Sequence, residues 1–298
     1  MPSNADRSAW AALKAMSLVP RRAVVDTALA GLCGVTLDDS TKANTEGRIT
    51  VGGQTVVTLK KPSNQFLADN QLHYLRTYAD LRGDRLSEII MQTGDVQSFF
   101  ALVGYMAPDA TKWSLLLNQA IYRLCTALEM PLKHGFDVAR PIAMSCKVQP
   151  IIQTPGHGSW PSGHATESFT SATLLTRLFY NRAFDPVAEI KAGNELYRHA
   201  ERITMNRTVA GVHFPTDSMA GAVMGVTLAE ALVRLLDGET ETTARVYRGD
   251  TYTGDFTLAA LDAALADPSV VETSTVALDA GAVPAWLRDM WEEAKAEW

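Results

Sequence analysis

Apolar residues recur at three- and four-residue steps over most of this 298-residue chain, the period of helices that bury one face. Within residues 1–38, Trp10, Leu13, Met16 and Leu18 stand at near-helical spacing and predict one or two helices packed on the body. From 66 to 131 the pattern is helical again. Leu72, Leu75, Tyr78 and Leu81 repeat at three-residue steps, and KWSLLLNQAIYRLCTALEM carries a wide apolar stripe. Pro62, Pro108 and Pro131 predict element boundaries. Further helices are predicted over 162–180, from 186 to about 205, and from 214 to about 236.

Three stretches break this rhythm. DDSTKANTEG is polar and predicts a loop, and ITVGGQTVVTL at 49–59 alternates β-branched residues around Gly52-Gly53-Gln54, a hairpin signal. The Gly- and Pro-punctuated segment 133–161 has no period, and irregular segments of this kind are where chemistry is expected. The pattern predicts a mainly α fold: one helical domain over 1–298, with a small β-hairpin near 49–59. Residues 240–298 would form a C-terminal segment that covers the bundle or makes a dimer contact.

Composition narrows the function classes. The chain is 47% hydrophobic and 20% charged, enough apolar content for a buried core. A net charge of -6 argues against nucleic acid or an anionic membrane surface as main partner. Cys33, Cys125 and Cys146 are far apart and suggest neither a zinc site nor a disulfide framework. The longest uncharged apolar stretch, SMAGAVMGVTLA at 218–229, falls short of the roughly 18 residues of a membrane span. With no basic start, long apolar run and cleavage site at the N-terminus, the sequence predicts a cytoplasmic protein without a membrane span.

The chemistry concentrates in three blocks. Lys133 and Arg140-Pro141 stand in KHGFDVARP, Pro161-Ser162-Gly163-His164 opens a helix, and Arg207, His213 and Asp217 lie in NRTVAGVHFPTD. Ser162 is a natural N-cap, so the amides of Gly163 and its successors would face an anion at a helix N-terminus. Arg140 and Arg207 offer bidentate forks and Lys133 a point charge, a set suited to a tetrahedral or trigonal-bipyramidal oxyanion. Asp217, in the first turn of a helix begun at Pro215, could hold one nitrogen of His213 and leave the other as nucleophile or metal ligand. His164 is then the spare acid–base group. Taken singly, each of these residues has a bland reading as a solvated cation, a structural histidine or a turn. The ten specified residues together would coincide by chance on the order of once in a million sequences.

The blocks resemble the tripartite signature of the type 2 phosphatidic acid phosphatase and vanadium haloperoxidase superfamily: Lys-x6-Arg-Pro, Pro-Ser-Gly-His and Ser-Arg-x5-His-x3-Asp. Asn206 stands where the third block usually has Ser. The resemblance spans 133–217 and implies a helical bundle around a bound oxyanion. In the phosphatases the residue matching His213 is phosphorylated, and the one matching His164 protonates the leaving group. In the haloperoxidases the former binds vanadate covalently, and Lys133, Arg140, Ser162, Gly163 and Arg207 would hold the oxygens of that cofactor; phosphate may occupy the same site.

Lacking predicted spans and an export signal, the chain looks most similar to the soluble bacterial haloperoxidase-like branch, though it is much shorter than the algal and fungal enzymes. His157, five residues before Ser162, stands where bromoperoxidases resemble it in having His and fungal chloroperoxidases have Phe. The expectation is therefore a vanadium-dependent haloperoxidase with vanadate on His213. Its partners would be hydrogen peroxide, bromide or iodide and a small organic acceptor, and His157 would tune the halide side. The amphipathic tails are compatible with a homodimer. Two alternatives stay open. One is a soluble phosphomonoesterase working through phosphohistidine on the same residues; the other is a non-catalytic phosphate or vanadate binder.

Overall fold

The computed structural model describes residues 7–38, 45–180 and 182–298, and most of the predicted DDSTKANTEG loop lies outside them. Two N-terminal helices, α1 (Ala9–Ala15) and α2 (Leu18–Leu32), lead without a turn into strand β1 (Cys33–Leu37). Strands β2 (Glu46–Val51) and β3 (Gln54–Lys60) form the expected hairpin, with Gly52 and Gly53 at φ of 57° and 79°, the left-handed pair that a two-residue turn needs. Four short helices follow: α3 (Asn64–Asn70), α4 (Leu72–Thr77), α5 (Arg82–Met91) and α6 (Gln97–Phe100).

The longest helix is α7 (Lys112–Phe136). It passes through Pro131, where the sequence predicts a boundary, and ends at Asp137, whose φ of 43° turns the chain out of the helix. After the short α8 (Pro141–Met144) and the irregular loop come α9 (Gly163–Phe179), α10 (Pro186–Ala192), α11 (Glu195–Val209) and α12 (Pro215–Leu236). The single helix expected from 186 to about 205 is two, divided where Gly193 takes a φ of 66° and Asn194 caps the second. Strand β4 (Glu241–Arg248), helix α13 (Leu258–Ala266), strand β5 (Val271–Ala277) and helix α14 (Ala285–Lys295) complete the chain.

A mainly α bundle is the wrong fold class. The structure is mixed α/β, with a five-stranded sheet in the order β1-β2-β3-β4-β5, antiparallel except for the parallel β3–β4 pair. Only the local hairpin is visible to periodicity. Strand β1 is five residues long and continuous with a helix, while the edge strand β5 (VETSTVA) buries little beyond Val271 and so shows no apolar alternation. Strand β4 finds β3 across almost two hundred residues, a pairing no local pattern encodes. The segment 240–298 thus contributes two strands to the sheet as well as covering helices.

Helix α12 is the centre of the fold. It packs on α9 on one side and on β3 and β4 on the other, and all but one of its residues are buried. The sequence reading that no segment is long and apolar enough for a membrane span needs correction here. This 22-residue helix meets that requirement at a mean hydropathy of 1.6 over its best window, and 94% of that window is covered by protein. Gly221 and Gly225 let it lie backbone-to-backbone on α9: a Cβ at Gly225 would stand 2.5 Å from the Thr166 carbonyl oxygen and 3.0 Å from the Thr170 nitrogen.

That contact is testable. Gly225→Ala should destabilise the protein by about 1–3 kcal/mol, because the atoms in its way are backbone. Gly83→Ala, where nothing lies within 4 Å, should be neutral or slightly stabilising. Urea midpoints measure both, and equal midpoints would show that the two helices can separate freely.

Candidate active site

The three blocks converge where α7 ends and where α9 and α12 begin. Lys133, in the last turn of α7 and 1% exposed, donates through Nζ to the carbonyls of Pro161 and Ser159 in the second block. Arg140 crosses the site. Its Nε donates to the His157 carbonyl at 3.0 Å, and its Nη1 donates to the Val212 carbonyl at 2.9 Å and meets His213 Nε2 at 3.0 Å. The Ser162 amide donates to the Asp217 carbonyl at 2.9 Å, tying the cap of α9 to the first turn of α12. Within α9 the first amide to bond back is that of Thr166, to the Ser162 carbonyl. Gly163, His164 and Ala165 therefore hold the unsatisfied amides of a helix start. The Ser162 hydroxyl is buried without a partner.

His213 and Asp217 form a buried couple. Asp217 Oδ2 lies 3.0 Å from His213 Nδ1 and accepts the Phe214 amide at 3.0 Å, the reach of a first-turn carboxylate back to its cap. This contact places the proton on Nδ1 and the lone pair on Nε2, the atom facing Arg140. Thr216, next in the chain to Asp217, is held by the sheet: its hydroxyl meets Tyr247 Oη at 2.8 Å and donates to the Gly249 carbonyl at 2.9 Å. His164 and Arg207 share another support. His164 Nε2 lies 2.7 Å from the Gln92 carbonyl, and Arg207 Nη2 donates to Gln92 Oε1 at 2.9 Å. A cavity of about 530 Å³ opens onto His164, Arg207 and His213, with Ile90, Ile152 and Val212 in its wall.

Charge is what sets this place apart. Among the described residues no carboxylate forms an ion pair with Lys133, Arg140 or Arg207, although all three are buried. A structural arginine in the same fold is treated differently: Arg245, 3% exposed, has Glu230 at 2.7 Å. A buried cation without a contacting carboxylate costs several kcal/mol, and three together favour an anion even with the Glu129 and Asp217 charges nearby. Titration directions agree. Burial and then the Arg207 guanidinium push His164 down to about 3, and burial followed by Arg140 holds His213 well below the usual histidine range. Burial lowers Lys133 and Arg207 as well. In the other direction burial raises Asp217, against the Phe214 amide and Arg140.

The structure brings Lys133, Arg140, Ser162, Gly163, His164, Arg207, His213 and Asp217 into this one region. His157 is placed differently. It is exposed, its Nδ1 meets Arg140 Nη2 at 3.2 Å, and its side chain lines no part of the cavity. Three residues escape sequence reasoning. Gln92 caps α5 and is 1% exposed; no motif marks it. Asn206, the departure from the family pattern, donates to Gln92 Oε1 at 2.9 Å and so helps to present it to Arg207. Glu129, 2% exposed and one turn before Lys133, has an unpartnered Oε2, and burial raises its pKa against the pull of Lys133. The spacing Glu129-x3-Lys133 was available in the sequence as a signal, since it puts both on one helix face.

The family now has independent support. Residues 112–241 match the PAP2 superfamily, and the chain carries a PAP2 superfamily domain over that span. No curated protein matches the chain. Among solved structures it is similar to the "first transmembrane PAP2 type phosphatidylglycerolphosphate phosphatase from Bacillus subtilis", at 22% identity and a TM-score of 0.42, over 59% of this chain and 87% of that one.

Gly163 offers a test of the cradle. A Cβ there would stand 2.6 Å from Glu129 Oε1, so Gly163→Ala must displace either the first turn of α9 or a buried carboxyl. Orthovanadate and phosphate affinity, read by calorimetry, should fall at least tenfold, with about 1–3 kcal/mol lost in stability. Glu129→Ala in the same chain should recover most of that stability. Unchanged anion affinity would remove the α9 start from the cradle.

Proposed function

We propose that this PAP2 superfamily domain is a phosphohydrolase that cleaves phosphomonoesters through a phosphohistidine on His213. The observation that supports it is the set of three buried cations, none in an ion pair with a carboxylate among the described residues, around a histidine whose Nε2 lone pair is fixed by Asp217. The cations and the α9 amides neutralise the phosphoryl oxygens, and their stabilisation grows as charge builds on them in the transition state. His213 Nε2 attacks phosphorus, the bond from phosphorus to the ester oxygen breaks, and that oxygen leaves with a proton from His164. Water then attacks phosphorus, its proton passes to His164, and the P–N bond breaks to release phosphate.

Burial keeps His164 neutral at ordinary pH. The proton must arrive with the substrate, either as its monoanion or through the rise in His164 basicity that a bound dianion causes. Vanadate fits the same cradle, because the unpartnered Ser162 hydroxyl and Arg207 Nε suit any tetrahedral or trigonal-bipyramidal oxyanion. It would act here as a competitive inhibitor. The haloperoxidase expected from the sequence rested on the absence of predicted spans and an export signal and on His157, whose ring is engaged with Arg140 outside the cavity, so the phosphohydrolase alternative is preferred.

Three measurements test this reading. His213→Asn should lower kcat on order of 10^4-fold or more and abolish acid-labile radiolabelling from a labelled phosphoester. His164→Ala should cost about 10²–10⁴-fold on an alkyl phosphate but distinctly less on p-nitrophenyl phosphate, whose leaving group needs no proton. Equal losses on the two substrates would overturn the acid role. For the wild type, kcat/KM on the alkyl ester should decline as pH rises above about 6, since deprotonated His164 and the substrate dianion together lack the required proton. Peroxide-dependent bromination with added vanadate, unaccompanied by phosphoester hydrolysis, would overturn the proposal as a whole.

A further inference from the structure

A second cavity, of about 440 Å³, adjoins the first. The two share Thr93 and His164, but the second does not reach His213. It therefore adjoins His164 without touching the nucleophile. In an in-line displacement the leaving group departs opposite the attacking atom and beside the group that protonates it, so an alcohol leaving next to His164 can extend into this space.

The wall of the second cavity mixes polar and apolar surface: Val96 and the Tyr122 ring lie beside Arg22, Gln97, Gln119, Arg123 and Glu167. Four buried donors on the lining residues have no partner among the described residues: Arg22 Nε, Gln92 Nε2, Gln97 Nε2 and Tyr122 Oη. Each unsatisfied buried donor costs about 1–3 kcal/mol, a cost that a ligand with acceptor oxygens removes. Arg22 is held in place because its Nη2 donates to Gln119 Oε1 at 2.9 Å, whereas Arg123 is occupied by Asp26 through two contacts of 2.7 Å. Gln92 links the two cavities. Its Oε1 accepts from Arg207, leaving the unpaired Nε2 of the same amide. Glu167 adds a carboxyl whose Oε1 meets Thr126 at 3.5 Å, while both oxygens of Asp95 already accept from Ser98. Several spare donors with the Glu167 carboxyl beside them match a molecule in which every functional group both donates and accepts, an alcohol with several hydroxyls.

We infer that the cavity lined by Arg22, Gln92, Gln97 and Glu167 is the leaving-group subsite and takes a polyhydroxylated alcohol, so that the substrates are sugar or polyol phosphates. This rests on the phosphohydrolase reading and adds the substrate class to it. An acyl or alkyl chain in this space would leave the donors unpaired, with only Val96 and the Tyr122 ring to pack against.

The test compares kcat/KM for glycerol 3-phosphate, glucose 6-phosphate, octyl phosphate and p-nitrophenyl phosphate on the full chain. At least one polyol phosphate should exceed octyl phosphate tenfold or more, and Arg22→Met and Gln97→Leu should each lower that ratio at least tenfold. Should Arg22→Met fail to fold, judged by circular dichroism, Gln97→Leu carries the test. Hydrolysis without preference, a preference for octyl phosphate, or a ratio untouched by the folded variants overturns the subsite and leaves the phosphohydrolase intact. Hydrolysis of none of the four overturns the phosphohydrolase reading, and the subsite with it.

Discussion

Lys133, Arg140 and Arg207 are buried around the start of α9 with no carboxylate to pair them, and the surrounding structure is organised by that constraint. Each cation comes from a different part of the chain, and each is held by backbone carbonyls or amides that carry no full charge. Lys133 leans on Pro161, Arg140 on His157 and Val212, and Arg207 on Ile89 and Gln92. These contacts orient the cations while leaving their charge unspent. A nearby carboxylate would stabilise the protein more and abolish the demand for an anion, which is the trade between stability and function expected at a site of this kind.

Holding such a site demands a rigid frame, and α9 and α12 provide it through unusual burial. Helix α9 is enclosed by α7, α11 and α12, yet it is rich in Ser and Thr. Several of those hydroxyls bond to carbonyls four residues back, Thr166 to Ser162, Thr170 to Thr166 and Thr176 to Ala172, so that polar side chains can sit in the interior. The sheet performs the matching task for α12. Tyr247 and Gly249 grip Thr216, and the Gln71 side chain accepts the Thr216 amide at 2.9 Å. The turn that carries His213 and Asp217 is thereby fixed between a helix and a strand. Trp160, with Phe136 and Tyr247 against it, fills the space beneath the second block.

The three blocks were legible in the sequence because the chemistry of oxyanion binding specifies residue types at short spacings, and such spacings survive in one dimension. The hairpin was legible for the same reason: Gly52-Gly53 is a local device. The sheet was not, because β4 and β5 find their partners through long-range pairing and carry Thr, Arg and Glu where an alternating strand would carry apolar residues. Pro131 misled in the opposite sense, as tertiary packing carries α7 through it for one more turn to deliver Lys133. Gln92, Glu129 and Asn206 were invisible as site residues, since an isolated amide or carboxyl in a helical pattern reads as surface until its burial is known.

Where these residues lie in the chain separates the general from the particular. The cations, both histidines of the couple and acid, and Asp217 all fall within 112–241, the span that matches the PAP2 superfamily. Of the second cavity's wall, Arg22, Gln92, Thr93 and Gln97 lie outside that span, on α2, the end of α5 and α6, whereas Gln119, Tyr122, Arg123 and Glu167 lie within it. Gln92 joins the two sets, since its backbone carbonyl holds His164 while its side chain holds Arg207. A shift of the α5 end would therefore move the acid–base group and an oxyanion-binding cation together, and would reshape both cavities with them. Under the proposed function the helices of 112–241 supply the reacting groups, and the N-terminal segment shares with α7 and α9 the wall of the space beside them.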